Sequence, residues 1–398
     1  MHPPRPAAPE ALPPGDPEVG GPAPVRRPAF AGCPTGPEVV GIVGVCALTM
    51  VAGMAALAAA SAHTGASFLS FAGRWDDRWF FDIASEGYSH HLPTGPFNIH
   101  PLLFAFFPGL PLVLRGVWEV IGGPEGVDAL VVGSLGLLSS CVLLWVLVAG
   151  EWGPAVARRA VVCFAWFPGS FVFIYCYSEA LAVPLGIGAL LALRRRWYVT
   201  AGLLSAMAGT VRVPSLALVA SCAVVAVVEI RRASGAGRWR PLAAPLIAVL
   251  GAVGYLVFLW AWTGTPLASS DAERIGWRDS VTGLAPFDIV RSVVDHPLHL
   301  EYWVMAVGIV AAAAAAVLVA RAPLAIEYKV YVGAVLLTWL VTTNSATIVR
   351  YLTLAFPVFI ALALVIRGRW AVTAVAGAGL IGMAVLVYIF TVGILITP

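Results

Sequence analysis

An all-α, polytopic transmembrane fold is predicted by three features of the sequence. Of 398 residues, 60% are hydrophobic and only 11% are charged, with a mean hydropathy of +0.89. Apolar runs recur from residue 39 to the C-terminus, and arginine clusters punctuate them at intervals. A soluble globular chain carries about 25% charged residues, so this one cannot cover a soluble surface of the same length. Backbone groups in lipid must be paired within their own segment, so the spanning elements are helices.

Residues 1–37 are rich in proline and lack apolar periodicity, which predicts a disordered cytoplasmic tail. A cleavable signal peptide is not expected, because the first apolar run starts only near Val39 and is long enough to span. Residues 38–398 then form the membrane domain. About eleven spans are expected, at 39–62, 127–149, 160–176, 177–193, 197–211, 214–230, 242–263, 302–320, 330–343, 351–366 and 372–396. Several fall short of the roughly 20 residues that a perpendicular helix needs.

One further apolar stretch, 101–122, decides the topology. It contains Pro101, Pro108, Pro111, Arg115 and Glu119, which suit an interfacial or re-entrant helix better than a lipid-facing one. If it does not cross and the N-terminus is cytoplasmic, 16 basic residues fall inside and 8 outside, against 7 and 14 acidic ones. That leaves +9 inside and −6 outside, as the positive-inside rule requires; a crossing would turn every later arginine cluster outward. Two long segments, 63–126 and 264–301, then face outward, with short outer turns near Ser178, Arg212 and 344–350.

The net charge of +3 and the lack of a basic stripe with interleaved aromatics exclude a nucleic-acid partner. Heavy use of Ala, Gly, Pro and Arg points to a high-GC, bacterial genome. Five of the six cysteines lie inside apolar runs and none forms a Cys-x-x-Cys pair, so they read as small buried hydrophobes. His90, His91 and His100 lack ligand spacing, and no phosphate-binding glycine loop occurs, so no metal or nucleotide cofactor is expected.

The residues able to carry chemistry sit at the predicted outer ends. Arg74, Trp75, Asp76 and Asp77 lie in an aromatic segment where a carboxylate is poorly solvated, which favours a general base. The same segment also reads as an amphipathic interfacial helix with a solvated acidic face. Tyr177-Ser178-Glu179 stands at a helix junction: Glu179 is either a functional carboxylate at the membrane boundary or a first-turn acid behind a serine cap. Arg212 and Arg350, the latter followed by Tyr351, oppose the charge bias. Either a bidentately held phosphate or an acidic residue of the outer loops would offset them.

The order of several blocks resembles the PIG-V family, the mannosyltransferases that add the second mannose of GPI anchors, and its bacterial relatives. Arg74-Trp75-Asp76, Ile83-Ala84-Ser85-Glu86-Gly87-Tyr88 and Phe104-Ala105-Phe106-Phe107-Pro108-Gly109-Leu110-Pro111-Leu112 look like its opening. Phe167-Pro168, Tyr177-Ser178-Glu179-Ala180-Leu181, Arg212-Val213-Pro214 and Arg350-Tyr351 with Phe356-Pro357 are similar to later blocks. The resemblance implies a GT-C fold with interfacial helices in the first outer loop and an active site on the outer face of a bacterial cytoplasmic membrane. It implies inverting transfer of mannose or a similar hexose from a polyprenyl-phosphate donor, with Asp76 as base. Asp77 replaces a usually small or variable residue, and 272–277 is only faintly similar to the family's outer loop. The acceptor, a lipid or a glycan, does not carry over. A transporter or flippase of a lipid-linked or small polar substrate is the competing expectation; it would place paired ionisable residues near the midplane and show an internal repeat.

Overall fold

A computed structural model describes residues 32–72, 76–92, 102–123, 125–276, 285–341 and 348–393. The first helix, α1 (Gly36–Thr64), opens with a reciprocal cap: the Thr35 N–H donates to the Glu38 carboxylate at 2.7 Å, with Pro37 in the first turn. It begins two residues before the expected start of the membrane domain at residue 38. Gly65, at φ 74°, closes it in the left-handed conformation, its N–H donating to Ser61 O.

Three short helices precede the next long one: α2 (Phe68–Ala72), α3 (Asp76–Glu86) and α4 (Gly109–Ile121), the last after a 3-10 turn at Leu103–Ala105. The thirteen residues of α4 reach about 20 Å, short of a roughly 30 Å hydrocarbon core. Leu110, Pro111 and Leu114 are buried on one of its faces, while Leu112, Arg115, Glu119 and Val120 are exposed. Pro101 itself lies outside the described residues.

The bundle continues with α5 (Glu125–Trp152), α6 (Pro154–Ala165), α7 (Glu179–Arg194), α8 (Tyr198–Gly209), α9 (Ala217–Arg232) and α10 (Ala243–Thr263). The second loop region holds α11 (Ala268–Gly276) and α12 (Ala285–Asp295), and α13 (Leu300–Arg321), α14 (Ile326–Leu340), α15 (Ile348–Leu354), α16 (Pro357–Val365) and α17 (Arg369–Thr391) finish the chain. No strand occurs among the described residues.

Six of these segments are long and apolar enough to cross a membrane: Gly36–Thr64, Gly126–Trp152, Val213–Arg232, Gly237–Thr263, Tyr302–Arg321 and Arg369–Thr391. A seventh is the pair α15 and α16, bent by 79°. The chain is therefore a polytopic helical membrane protein. The expected eleven resolve less simply. The run 160–176 is split between α6 and a 3-10 turn at Pro168–Phe173, and α7, α8 and α14 have 16, 12 and 15 residues. The bend at 355–356 has a local cause: Pro357 has no N–H to donate back into the preceding turn, and the Leu354 carbonyl accepts instead from the Phe356 N–H at 2.8 Å and the Tyr331 hydroxyl at 3.1 Å.

The core is aromatic at its centre. Phe164, Phe171, Phe173 and Phe356 are fully buried with Tyr175, Tyr177, Tyr328 and Tyr331. Tyr175 donates to Val387 O at 2.9 Å, and Tyr328 donates to Glu151 at 2.8 Å. Elsewhere helices approach through small residues, as α8 and α10 do where Gly202 lies against the Ala244 backbone and Gly251 against the Ala206 backbone.

Candidate functional site

Four separate segments bring one charged cluster together. Arg350, on α15, is the hub. Its Nη1 donates to Asp76 Oδ2 at 2.9 Å, its Nε to Glu179 Oε1 at 2.9 Å, and its Nη2 to Glu179 Oε2 at 3.3 Å. The Arg212 guanidinium also donates to Glu179 Oε1. Side-chain exposure is 0% for Glu179, 9% for Arg350 and 12% for Arg212, but 29% for Asp76. Asp76 is thus the member that open space reaches most easily.

Local structure sets each position. Asp76 is the first residue of α3. Glu179 opens α7 after a tight turn in which Cys176 adopts φ 51°, a left-handed conformation that costs a non-glycine residue about 1–2 kcal/mol. The Tyr177 N–H closes that turn on Val172 O at 2.9 Å. Arg212 is extended between α8 and the 3-10 turn Val213–Leu216. The Gly109 N–H bonds Thr210 O at 2.9 Å beside it, and a Cβ on Gly109 would meet that oxygen and the Val211 side chain within 3 Å. The start of α4 is thereby fixed against the Arg212 segment.

Aromatic rings line the cluster. The Arg350 guanidinium lies 4.2 Å from the Tyr177 ring centroid, and that of Arg212 lies 5.3 Å from Tyr351. Three of the four fully buried tyrosines have hydroxyl partners, but the Tyr177 hydroxyl has none among the described residues.

The expected residues Asp76, Tyr177, Glu179, Arg212, Arg350 and Tyr351 therefore meet in one place. Arg74 and Trp75, and the side chain of Asp77, lie outside the described residues. Of the two readings of the outward arginines, the structure contains the carboxylate pairing, and one of the two acids is Asp76 itself. The serine cap is not present: Ser178 is helical in conformation and caps no backbone N–H with its side chain, and its hydroxyl is 3.4 Å from the Glu179 carboxylate.

Two acidic residues escaped the sequence reading. Glu273 on α11 lies within electrostatic reach of Tyr351 and Tyr255, which brings the second loop region to the cluster. Asp128, in the first turn of α5, is fully buried with no donor to either oxygen among the described residues. Its position at the head of an apolar run was the available signal. Beside the site, His90 stacks on Trp262 at 4.1 Å and Tyr88 on Phe104 at 5.6 Å; burial pushes the Tyr88 phenol well above its usual range. Among the described residues no group of three His, Cys, Asp or Glu side chains could hold a metal ion. Compared with family models, curated proteins and solved structures, the chain finds no match in any of the three.

Proposed function

We propose that this protein is a membrane glycosyltransferase that moves mannose, or a similar hexose, from a polyprenyl-phosphate donor to an acceptor hydroxyl with inversion. The observation that carries the reading is the bond from Asp76, the most open carboxylate of the cluster, to Arg350, which a buried glutamate holds together with Arg212. Two guanidiniums at a common point suit a lipid phosphate, because each offers a planar fork of donors. The phosphate would compete with Asp76 for Arg350. Once released, the Asp76 carboxylate takes the proton of the acceptor hydroxyl as its oxygen attacks the anomeric carbon. The bond from that carbon to the phosphate oxygen breaks, and Arg350 and Arg212 stabilise the departing phosphate. Glu179 keeps both arginines in place throughout. Arg74, Trp75, Asp77, Tyr177 and Tyr351 complete the substrate contacts in this reading. It includes a PIG-V-like GT-C architecture of eleven crossings, with the site on the outer face of a bacterial cytoplasmic membrane and a lipid or glycan as acceptor.

A second reading, a transporter of a lipid-linked or small polar substrate, is favoured by the 79° break beside buried Arg350, since broken helices carry transporter sites. One assay separates the two. The purified chain is reconstituted in vesicles with a labelled polyprenyl-phosphate mannose and membrane extract as acceptor source. Transfer requires labelled product of inverted anomeric configuration. Movement of intact donor across the bilayer, with no product, would replace the transferase by the transporter.

A further inference from the structure

At the opposite end of the bundle, the loops joining α7 to α8 and α9 to α10 lie together. The Arg196 Nη2 donates to Glu229 at 3.2 Å, and the 3-10 turn Ala236–Leu242 packs against both α8 and α9. These loops and the helix ends that flank them carry six arginines, Arg195, Arg196, Arg231, Arg232, Arg238 and Arg240, and one carboxylate, Glu229. We propose that these two loops form a docking site for the headgroups of anionic phospholipids, a role separate from the cluster around Arg350.

The arrangement is not what helix ends require. The dipole at the C-terminus of α9 favours Arg231 and Arg232, but Arg238 and Arg240 stand just before the N-terminus of α10, where a cation is disfavoured. An anion outside the chain offsets that cost. Arg196 adopts φ 60° at a helix end, a place where glycine is the usual residue, so a guanidinium is kept there against backbone preference. Neighbouring Arg194 shows the alternative: it turns inward and pairs with Glu151 at 2.7 Å and Glu327 at 2.8 Å. Arg231, Arg232, Arg238 and Arg240 have no carboxylate partner among the described residues.

The aromatic partners identify the anion. Arg195 lies 5.4 Å from the Trp197 ring and Arg238 lies 4.6 Å from that of Trp239, and both indoles are about half exposed. Exposed tryptophans at the ends of apolar spans sit at headgroup level. The patch adjoins the ends of Val213–Arg232 and Gly237–Thr263, where the phosphates of the surrounding leaflet lie. A guanidinium beside an indole therefore meets a phosphodiester whose chains stay in the bilayer.

Each arginine near an anionic surface is worth about a fivefold gain in binding. The test uses the full chain in mild detergent, titrated with short-chain phosphatidylglycerol or phosphatidylcholine and read by lipid retention in native mass spectrometry. The unaltered protein should retain phosphatidylglycerol at least about tenfold better. Arg238→Gln with Arg240→Gln should cut that preference about fivefold or more, and Arg231→Gln with Arg232→Gln should do so independently if the first pair folds poorly. Arg115→Gln, on α4, should keep it. Equal retention of the two lipids by the unaltered protein, or full preference in both paired variants, overturns the proposal. So does capture of an acidic soluble protein without any lipid preference.

Discussion

Asp76 and Glu179 both hold Arg350, but burial separates their roles. Glu179 is fully enclosed and is the counter-charge of two arginines. Glu179→Gln would leave both guanidiniums short of charge compensation in a buried setting, which costs about 3–5 kcal/mol. The expected result is a marked drop in the thermal midpoint and yield of the detergent-solubilised protein. Asp76 loses one bond to Arg350 and is partly open, so Asp76→Asn should melt close to the unaltered protein. As the proposed base, it should nonetheless lose about 10²–10⁴ in transfer rate. Asp77→Asn should lose less. Near-normal transfer by Asp76→Asn, at matched protein levels, would remove Asp76 from the role. Arg350→Lys should recover only part of what Arg350→Ala loses, because an ammonium cannot bond Asp76 and Glu179 through one rigid fork; equal kinetics for the two variants would contradict this.

Among the elements, α15 is short and its place depends on close packing. A Cβ on Gly169, in the turn Pro168–Phe173, would come within 2.6 Å of Val349 O, the carbonyl just before Arg350. Gly169→Val should therefore displace Arg350 without touching any charged group. Transfer should fall by an order of magnitude or more, a cost expected of misplacing a catalytic group by about 1 Å. If donor turnover in Gly169→Val matched the unaltered protein, the cluster would not depend on this contact. That dependence was not legible beforehand. Gly169 lies within 160–176, which reads as an apolar span, and nothing in that pattern names α15 as its neighbour. Helices such as α1 and α10 were legible because long apolar runs end in polar caps or glycine. The runs 197–211 and 330–343 were already short for a span, and they form helices of 12 and 15 residues, α8 and α14.

At the scale of the molecule, charge is sorted between two ends. α7 runs from Glu179 in the cluster to Arg194 in the opposite network, about 24 Å. Cys33 is an exposed native thiol beside the end of α5, since Gly32 abuts Gly150, whereas the other five cysteines are buried. Glu119 is exposed on α4, which adjoins the start of α5, whose 28 residues extend about 42 Å. In intact cells a membrane-impermeant maleimide should label Glu119→Cys, and Cys33 only after permeabilisation. Labelling of both from one side, or in the reverse order, would sink the orientation and with it the non-crossing role of α4.

The sequence by itself determined the class of the molecule. Lipid demands long apolar helices, so composition and the recurrence of apolar runs suffice to reveal a polytopic bundle. It also singled out Asp76, Glu179, Arg212 and Arg350, because ionisable groups at apolar boundaries are few, and the fold brings these four together. Only the tertiary structure decided their partnerships. Asp76 and Arg350 stand 274 residues apart, and Glu179 and Arg350 stand 171 apart. A charge in sequence can be compensated by a ligand, by solvent or by any distant carboxylate. Which of these applies depends on how helices with indistinguishable apolar faces choose their neighbours, and that choice rests on small-residue contacts and backbone breaks such as those at Gly169, Cys176 and Pro357.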